Sequence, residues 1–132
     1  MSERTIISAA GAPAAIGPYS HAAAGAGFVF TSGQIGLDPT SGELAEGVAA
    51  QAEQAMRNLA AVLDAAGTSF DRVLKTVIFL SDMADFAAVN EVYAARIGGG
   101  HPARSTVAVA GLPKGALVEI EMVALAGEAA RG

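Results

Sequence analysis

Two glutamates, Glu119 and Glu121, stand two residues apart in the otherwise apolar segment Leu117–Ala126. Side chains alternate along a strand, so both point to one face with Leu117, Val123 and Leu125, while Val118, Ile120, Met122 and Ala124 take the other. A carboxylate buried unpaired on an apolar face costs several kcal/mol. The pair is therefore either exposed at a sheet edge or matched by a cation. Arg104 opens the preceding apolar segment; a lone arginine is ordinarily a surface residue, but its planar fork also suits a substrate carboxylate gripped through two parallel hydrogen bonds. Ser32, Gly33 and Gln34 follow Val29–Thr31, and a glycine inside a strand marks either a bulge or a place where a ligand comes close to the backbone. Tyr19 carries a hydroxyl just after Pro18, with packing as its default role. Asn90 reads first as a solvated helix residue, and His101 as a loop residue beside Pro102.

The elements that must position these groups follow from periodicity. Thr5–Ser8 reads as a first strand. The stretch from Gly11 to Gly27 is broken by Pro13, Gly17, Pro18 and Gly25, leaving a loop with one short strand near Tyr19–Ala22. Phe28–Ile35 is β-rich, and Asp38–Gly42 supplies turn residues. Val48, Ala52, Ala55, Leu59, Val62, Leu63 and Ala66 recur at helical spacing, with Gln51, Gln54, Arg57, Asn58 and Asp64 mostly off that stripe and Gly67 placed to end the helix. Arg72–Leu80 is short and rich in β-branched residues, as expected of a central strand. Asp82 is placed to cap a helix over Met83–Ile97 whose buried face holds Phe86, Val89, Val92, Tyr93 and Ile97. Gly98–Pro102 stops it; Ser105–Val109 and Leu117–Ala126 are strands joined through Leu112–Gly115. If those two form an antiparallel hairpin, Arg104 lies near Glu121–Leu125 and further from Glu119.

This order argues an α+β domain spanning residues 1–132, with both helices on one face of a mixed sheet. The composition bounds the partners. Charged residues make up 16% of the chain against roughly 25% in typical domains, which points to surface buried against other subunits. No cysteine is present, excluding disulfides, thiolate catalysis and cysteine-ligated zinc. The two histidines, His21 and His101, are not spaced as ligands, so no metal site is expected. Net charge is −5 and the eight basic residues are scattered, without the basic stripe of a nucleic-acid binder. No apolar run is long enough to span a membrane and no signal-peptide stretch opens the chain, so a cytoplasmic protein is expected.

Five segments together carry a resemblance: Ala14–Tyr19 (AAIGPY), Thr31–Ile35 (TSGQI), Phe86–Tyr93 (FAAVNEVY), Pro102–Ser105 (PARS) and Val118–Glu121 (VEIE). In this order they resemble the motifs of the RidA (YjgF) family, from about residue 12 to residue 126. The resemblance implies a chorismate-mutase-like α+β fold and a homotrimer whose sheets form a central barrel, with active sites between subunits. It implies cofactor-independent hydrolysis of 2-enamino and 2-imino acids, such as 2-aminoacrylate, to a 2-oxo acid and ammonia. It assigns Arg104 to the substrate carboxylate and Glu119, rather than Glu121, to the water. Tyr19, Ser32, Gly33, Asn90 and Thr106 match further lining positions. Such imines hydrolyse unaided in water, so positioning and a carboxylate with a raised pKa are enough.

The chain also departs from the family pattern. Thr106 stands where the family often has cysteine, the Tyr93–Arg104 loop is shorter than usual, and His101 replaces a commonly aromatic residue. Rival readings are a non-catalytic trimer that senses small carboxylates, a pathway-specific deaminase such as one acting on 2-aminomuconate, and an RNA-directed activity that the acidic charge balance opposes.

Overall fold

The strand with the cleanest apolar alternation lies inside the sheet, and the other elements are arranged around it. In the computed structural model, which describes residues 3–127, the strands are β1 (Thr5–Ile7), β2 (Ala22–Gly25), β3 (Phe28–Thr31), β4 (Gln34–Ile35), β5 (Val73–Leu80), β6 (Ala103–Ala108) and β7 (Val118–Leu125). They form one sheet in the order β1-β2-β3-β7-β5-β6, with β4 also paired to β7. Every pairing is antiparallel except β5 with β6. The sheet is therefore mixed, with two α-helices, α1 (Val48–Ala65) and α2 (Phe86–Ile97).

Val118, Ile120, Met122 and Ala124 are essentially inaccessible and share a core with Met56, Leu59 and Leu63 of α1 and Val89, Tyr93 and Ile97 of α2. Their burial supplies the main drive for packing the helices on this face. The opposite face holds Glu119, Glu121, Val123 and Leu125, all only partly buried. It is continued by Phe30 across from Val123 and by Ile6 beyond it, each half exposed. Helix α1 ends as its sequence predicts. Gly67 takes φ +78°, its N–H donates to the Asp64 carbonyl and that of Thr68 to Leu63, the paired bonds of a glycine C-terminal cap.

Several expectations are corrected. The first short strand of the loop region lies at Ala22–Gly25 rather than Tyr19–Ala22, and it pairs with β3 through a two-residue turn at Ala26 and Gly27, both at positive φ. The Phe28–Ile35 run is split at Ser32–Gly33 into β3 and β4. Asp82 accepts a hydrogen bond from the Ala84 N–H, but the turn it caps is a 3-10 turn over Met83–Asp85, and α2 begins at Phe86. Phe86 is exposed rather than buried.

The largest correction concerns the hairpin. Strand β6 pairs with β5, in parallel, through the α2 crossover, and β7 lies on the other side of β5. Apolar alternation decides this: β7 can bury a whole face, whereas the residues of β6 are exposed or half-buried, which suits a sheet edge. The 3-10 turn Pro113–Gly115 thus lies on a connection that passes β5 instead of closing a hairpin.

Candidate functional site

Register settles where the two charged candidates point. Arg104 pairs with Thr76 of β5, and Thr76 in turn with Met122 of β7. Arg104 therefore lies on the helix-covered face, level with Met122, the neighbourhood expected for it although the pairing that puts it there is different. Glu119 pairs with Phe79, three positions along β5 from Thr76, and so takes the opposite face. One chain does not bring Arg104 and Glu119 into one cavity.

On its own face Arg104 is held by α2. Its Nη1 donates to Asn90 Oδ1 at 2.8 Å. The guanidinium carbon lies 5.2 Å from the Tyr93 ring centroid and 5.6 Å from that of Phe86, within range of cation–π attraction. Tyr93 is fixed by donating to Thr76 Oγ1 at 2.9 Å, and burial raises its pKa above the usual phenol value. Among the described residues the ion pairs are those of Glu53 with Arg57 and Arg96; Arg104 has no carboxylate partner. A recess of about 390 Å³ opens beside it, lined by Asn90, Tyr93, Ala94, Ile97, His101 and Pro102. His101 is a loop residue, as expected, and also lines the arginine's recess. Thr106, two residues on along the same face, keeps a buried hydroxyl without a hydrogen-bond partner.

Glu119 sits in a second, smaller cavity. Its walls include Pro13, Ile16, Tyr19, His21, Gly33 and Lys114. Gly33 makes room for the glutamate: a Cβ at this position would overlap the Glu119 carboxylate and lie 2.9 Å from its Cγ, so the Glu119 side chain would have to move. The close approach that a glycine in a strand signals is therefore made by a side chain of the same protein. Burial, and then the neighbouring Glu121 carboxylate, raise the Glu119 pKa above the ordinary glutamate value. Lys114, at the rim, holds φ +58°, a left-handed conformation that costs a non-glycine residue about 1 kcal/mol.

Tyr19 and Ser32 lie near this second cavity in different ways. Tyr19 is half exposed and borders the Glu119 cavity together with two adjacent surface recesses. Ser32 already donates its hydroxyl proton to the Ser20 carbonyl at 2.6 Å, and its N–H donates to the His21 carbonyl at 2.9 Å. Its side chain stitches the site's backbone, leaving only acceptor capacity for a ligand.

Two polar residues of α1 belong to the site's frame and escape the periodicity reading. Gln51 accepts the Leu117 N–H at 2.8 Å and donates to the Ala45 carbonyl at 3.1 Å. Asn58 donates to the carbonyls of Ile35 and Leu37 at 3.1 and 2.9 Å. Both are buried. They brace the start of β7 and the end of β4, the two stretches flanking Glu119. The available signal was their spacing: two amides seven residues apart share one helix face.

No group of three or more histidine, cysteine or acidic side chains is placed to hold a metal ion among the described residues. No helix among them is long and apolar enough to cross a membrane.

Comparison with known proteins agrees with this architecture. The family model described as endoribonuclease L-PSP matches residues 9–126. The mouse (Mus musculus) 2-iminobutanoate/2-iminopropanoate deaminase is 50% identical over 125 residues, covering 94% of this chain and 93% of that protein. RidA from the Antarctic bacterium Psychrobacter sp. PAMC 21119 superposes with a TM-score of 0.89 at 46% identity, covering 92% of this chain and 98% of that one. E. coli TdcF, solved with bound serine, gives 0.86 at 40% identity over 92% and 98% of the two chains.

Proposed function

This chain belongs to the endoribonuclease L-PSP family, to which its resemblance to RidA also pointed, and from that premise we propose that it is a deaminase of reactive 2-enamino and 2-imino acids. The observation that carries the reading is the arginine that is oriented but unpaired. Arg104 is fixed by Asn90 and two aromatic rings and has no carboxylate partner among the described residues. Such a fork is prepared for a carboxylate that comes with the substrate.

The chemistry follows from the two half-sites. Arg104 grips the carboxylate of the protonated imine. Water held by Glu119 attacks the imine carbon; its O–H proton passes to the Glu119 carboxylate as the C–O bond forms, giving a tetrahedral amino alcohol. Glu119 returns the proton to nitrogen, the C–N bond breaks, and the hydroxyl proton passes to the departing ammonia, leaving the 2-oxo acid and ammonium. The raised pKa of Glu119 makes its carboxylate a better acceptor for the water proton, which it then hands on. This sequence of steps uses no organic cofactor and no metal. Tyr19, Ser32, Gly33, Asn90 and Thr106 are the further residues assigned to the substrate's surroundings.

Because Arg104 and Glu119 occupy opposite faces of one sheet, a complete site takes one from each of two chains. The open face supports that assembly. It exposes Ile6, Phe28, Phe30 and Val107, an apolar surface suited to burial against other copies. A homotrimer built as a sheet-lined barrel, with sites in the clefts, accounts for both facts. The same reading makes residues 1–132 one RidA-type domain of a cytoplasmic protein that engages neither membrane nor nucleic acid.

The test follows the decay of 2-aminoacrylate, formed in place from serine by a dehydratase, with and without this protein and with Arg104→Ala. Acceleration that vanishes in the variant supports the assignment; no acceleration of any small 2-imino acid by a folded oligomer overturns it. TdcF solved with bound serine favours one second reading, a binding protein for small amino or oxo acids. Glu119→Gln separates the two, since an enzyme keeps binding and loses turnover, whereas a sensor has no turnover to lose.

A further inference from the structure

His21 is 8% exposed and both ring nitrogens are committed to backbone. Nδ1 accepts the Ala9 N–H at 2.9 Å, and Nε2 lies 2.7 Å from the Pro13 carbonyl oxygen. A backbone N–H only donates and a carbonyl only accepts, so the ring is neutral with its proton on Nε2. Neither nitrogen is left for proton transfer. The residue's own carbonyl accepts the Ser32 N–H, and the Ser32 hydroxyl donates to the adjacent Ser20 carbonyl.

Three strips of chain meet at this point: Ala9–Pro13, the entrance to β2, and Ser32 just ahead of Gly33. Two of them lead into the lining of the Glu119 cavity, one through a wall of Pro13, Ala14, Ile16 and Tyr19 and the other through Gly33, Gln34 and Ile35. Beyond the buried Ala9 and Ala12 that precede it, the first wall has little else to hold it. Between β1 and β2 there is neither helix nor strand, Ile16 is 70% exposed, and the internal backbone bonds are those from Ala12 to Ala9 and from Tyr19 to Gly17.

We infer that His21 is a positioning residue for the Glu119 half-site. It pins the Pro13–Tyr19 wall, and Tyr19 with it, at a fixed separation from Glu119 without touching the reacting atoms. The activity arm of its test rests on the proposed deaminase reading; the exchange arm does not.

Two variants isolate the clamp. In His21→Gln the side-chain carbonyl can accept from Ala9 and the amide can donate to Pro13. His21→Leu fills similar space and offers neither bond. The measurements are kcat and KM for 2-aminoacrylate hydrolysis, thermal melting, and amide hydrogen exchange. His21→Leu is expected to lower kcat by about tenfold or more, since a small misplacement at a site is costly, and to leave KM within about threefold because Arg104 lies on the other face. Exchange over residues 9–20 rises by about tenfold or more while Val118–Leu125 keeps wild-type protection. His21→Gln restores both readouts to within about threefold of wild type.

Wild-type kcat and exchange in His21→Leu overturn the inference. So does a His21→Gln protein as impaired as His21→Leu, which would assign the role to the ring itself. Should His21→Leu fail to fold, His21→Asn, one methylene short of spanning both partners, takes its place with the same expected outcomes. A wild-type protein without imine hydrolysis defeats the proposed function, and the exchange pattern of the variants still decides the clamp.

Discussion

At Arg104 the decisive property is shape rather than charge. The guanidinium spends one N–H on Asn90 and lies against two rings, leaving the rest of its planar fork for a carboxylate. Lysine keeps the charge but has no plane to stack and no paired donors. Arg104→Ala is expected to lower kcat/KM by about 100-fold, the order of a lost hydrogen-bonded charge pair. Arg104→Lys should recover only a minor part of that loss, mainly as a raised KM, which initial-rate kinetics on 2-aminoacrylate checks. Glu119 carries a different signature. Its pKa is raised by burial and by Glu121, so the folded chain holds this proton more tightly than the unfolded chain does. The contribution to stability is full below the ordinary glutamate pKa and is lost as pH rises through the raised value. Glu119→Gln does not titrate there. Its stability relative to wild type should therefore grow as pH rises from the ordinary glutamate pKa through the raised one, and above that range it should melt no lower than wild type while turnover is lost. Melting curves across that range test the sign, and a relative stability that falls with pH would contradict it.

Helix α1 acts on the site as an element. Its apolar stripe fastens it to the sheet, while Gln51 and Asn58 reach from the same helix to the backbone on either side of Glu119. Gly36 lets the helix come this near, since a Cβ there would stand 2.6 Å from the Gln51 Cα. Asn58→Leu keeps similar volume and strands the carbonyls of Ile35 and Leu37. The expected cost is about 2 kcal/mol, a fall of roughly 6 °C in Tm. Because those carbonyls adjoin β4, which pairs with β7 through Ile35 and Glu119, kcat should fall beyond what the loss of folded protein explains. Activity per folded molecule well below Tm, measured beside a denaturation curve, separates the two effects. Strand β6 shows the complementary case. Its place at the edge leaves Arg104 reachable from α2, whereas a hairpin with β7 would have set it near Glu121–Leu125 and further from Glu119.

The two groups proposed to act on the substrate, Arg104 and Glu119, are divided between two faces of one sheet, and a single chain cannot close a site around both. That division makes an assembly-level prediction. Arg104→Ala and Glu119→Gln proteins, each inactive alone, are unfolded together and refolded as mixed oligomers. About one site in four then receives an intact arginine from one chain and an intact glutamate from its neighbour, as random assembly of a closed ring requires. Activity near a quarter of wild type supports the shared site, and a mixture as inactive as its parents would oppose it. Sedimentation of the wild type supplies the copy number. The open apolar face with Phe30 and Val107 is the surface expected to be covered.

Much of this was legible before any fold was known, because it depends on local chemistry. Alternation along Leu117–Ala126 places both glutamates on one face whatever the neighbours are, helical spacing defines α1, and Gly67 ends it because only glycine takes that backbone angle without strain. The five motifs identify the family, since residue order survives without coordinates. What the tertiary structure decided is pairing and direction. Parallel and antiparallel neighbours are not encoded in a strand's own residues; the competition for buried positions put β7 inside the sheet and β6 at its edge. Only that outcome placed Arg104 and Glu119 on opposite faces. The same holds for Gln51, Asn58 and His21. Each is an ordinary polar residue in one dimension and becomes part of the site's frame because distant backbone groups, left without partners by the packing, converge on it.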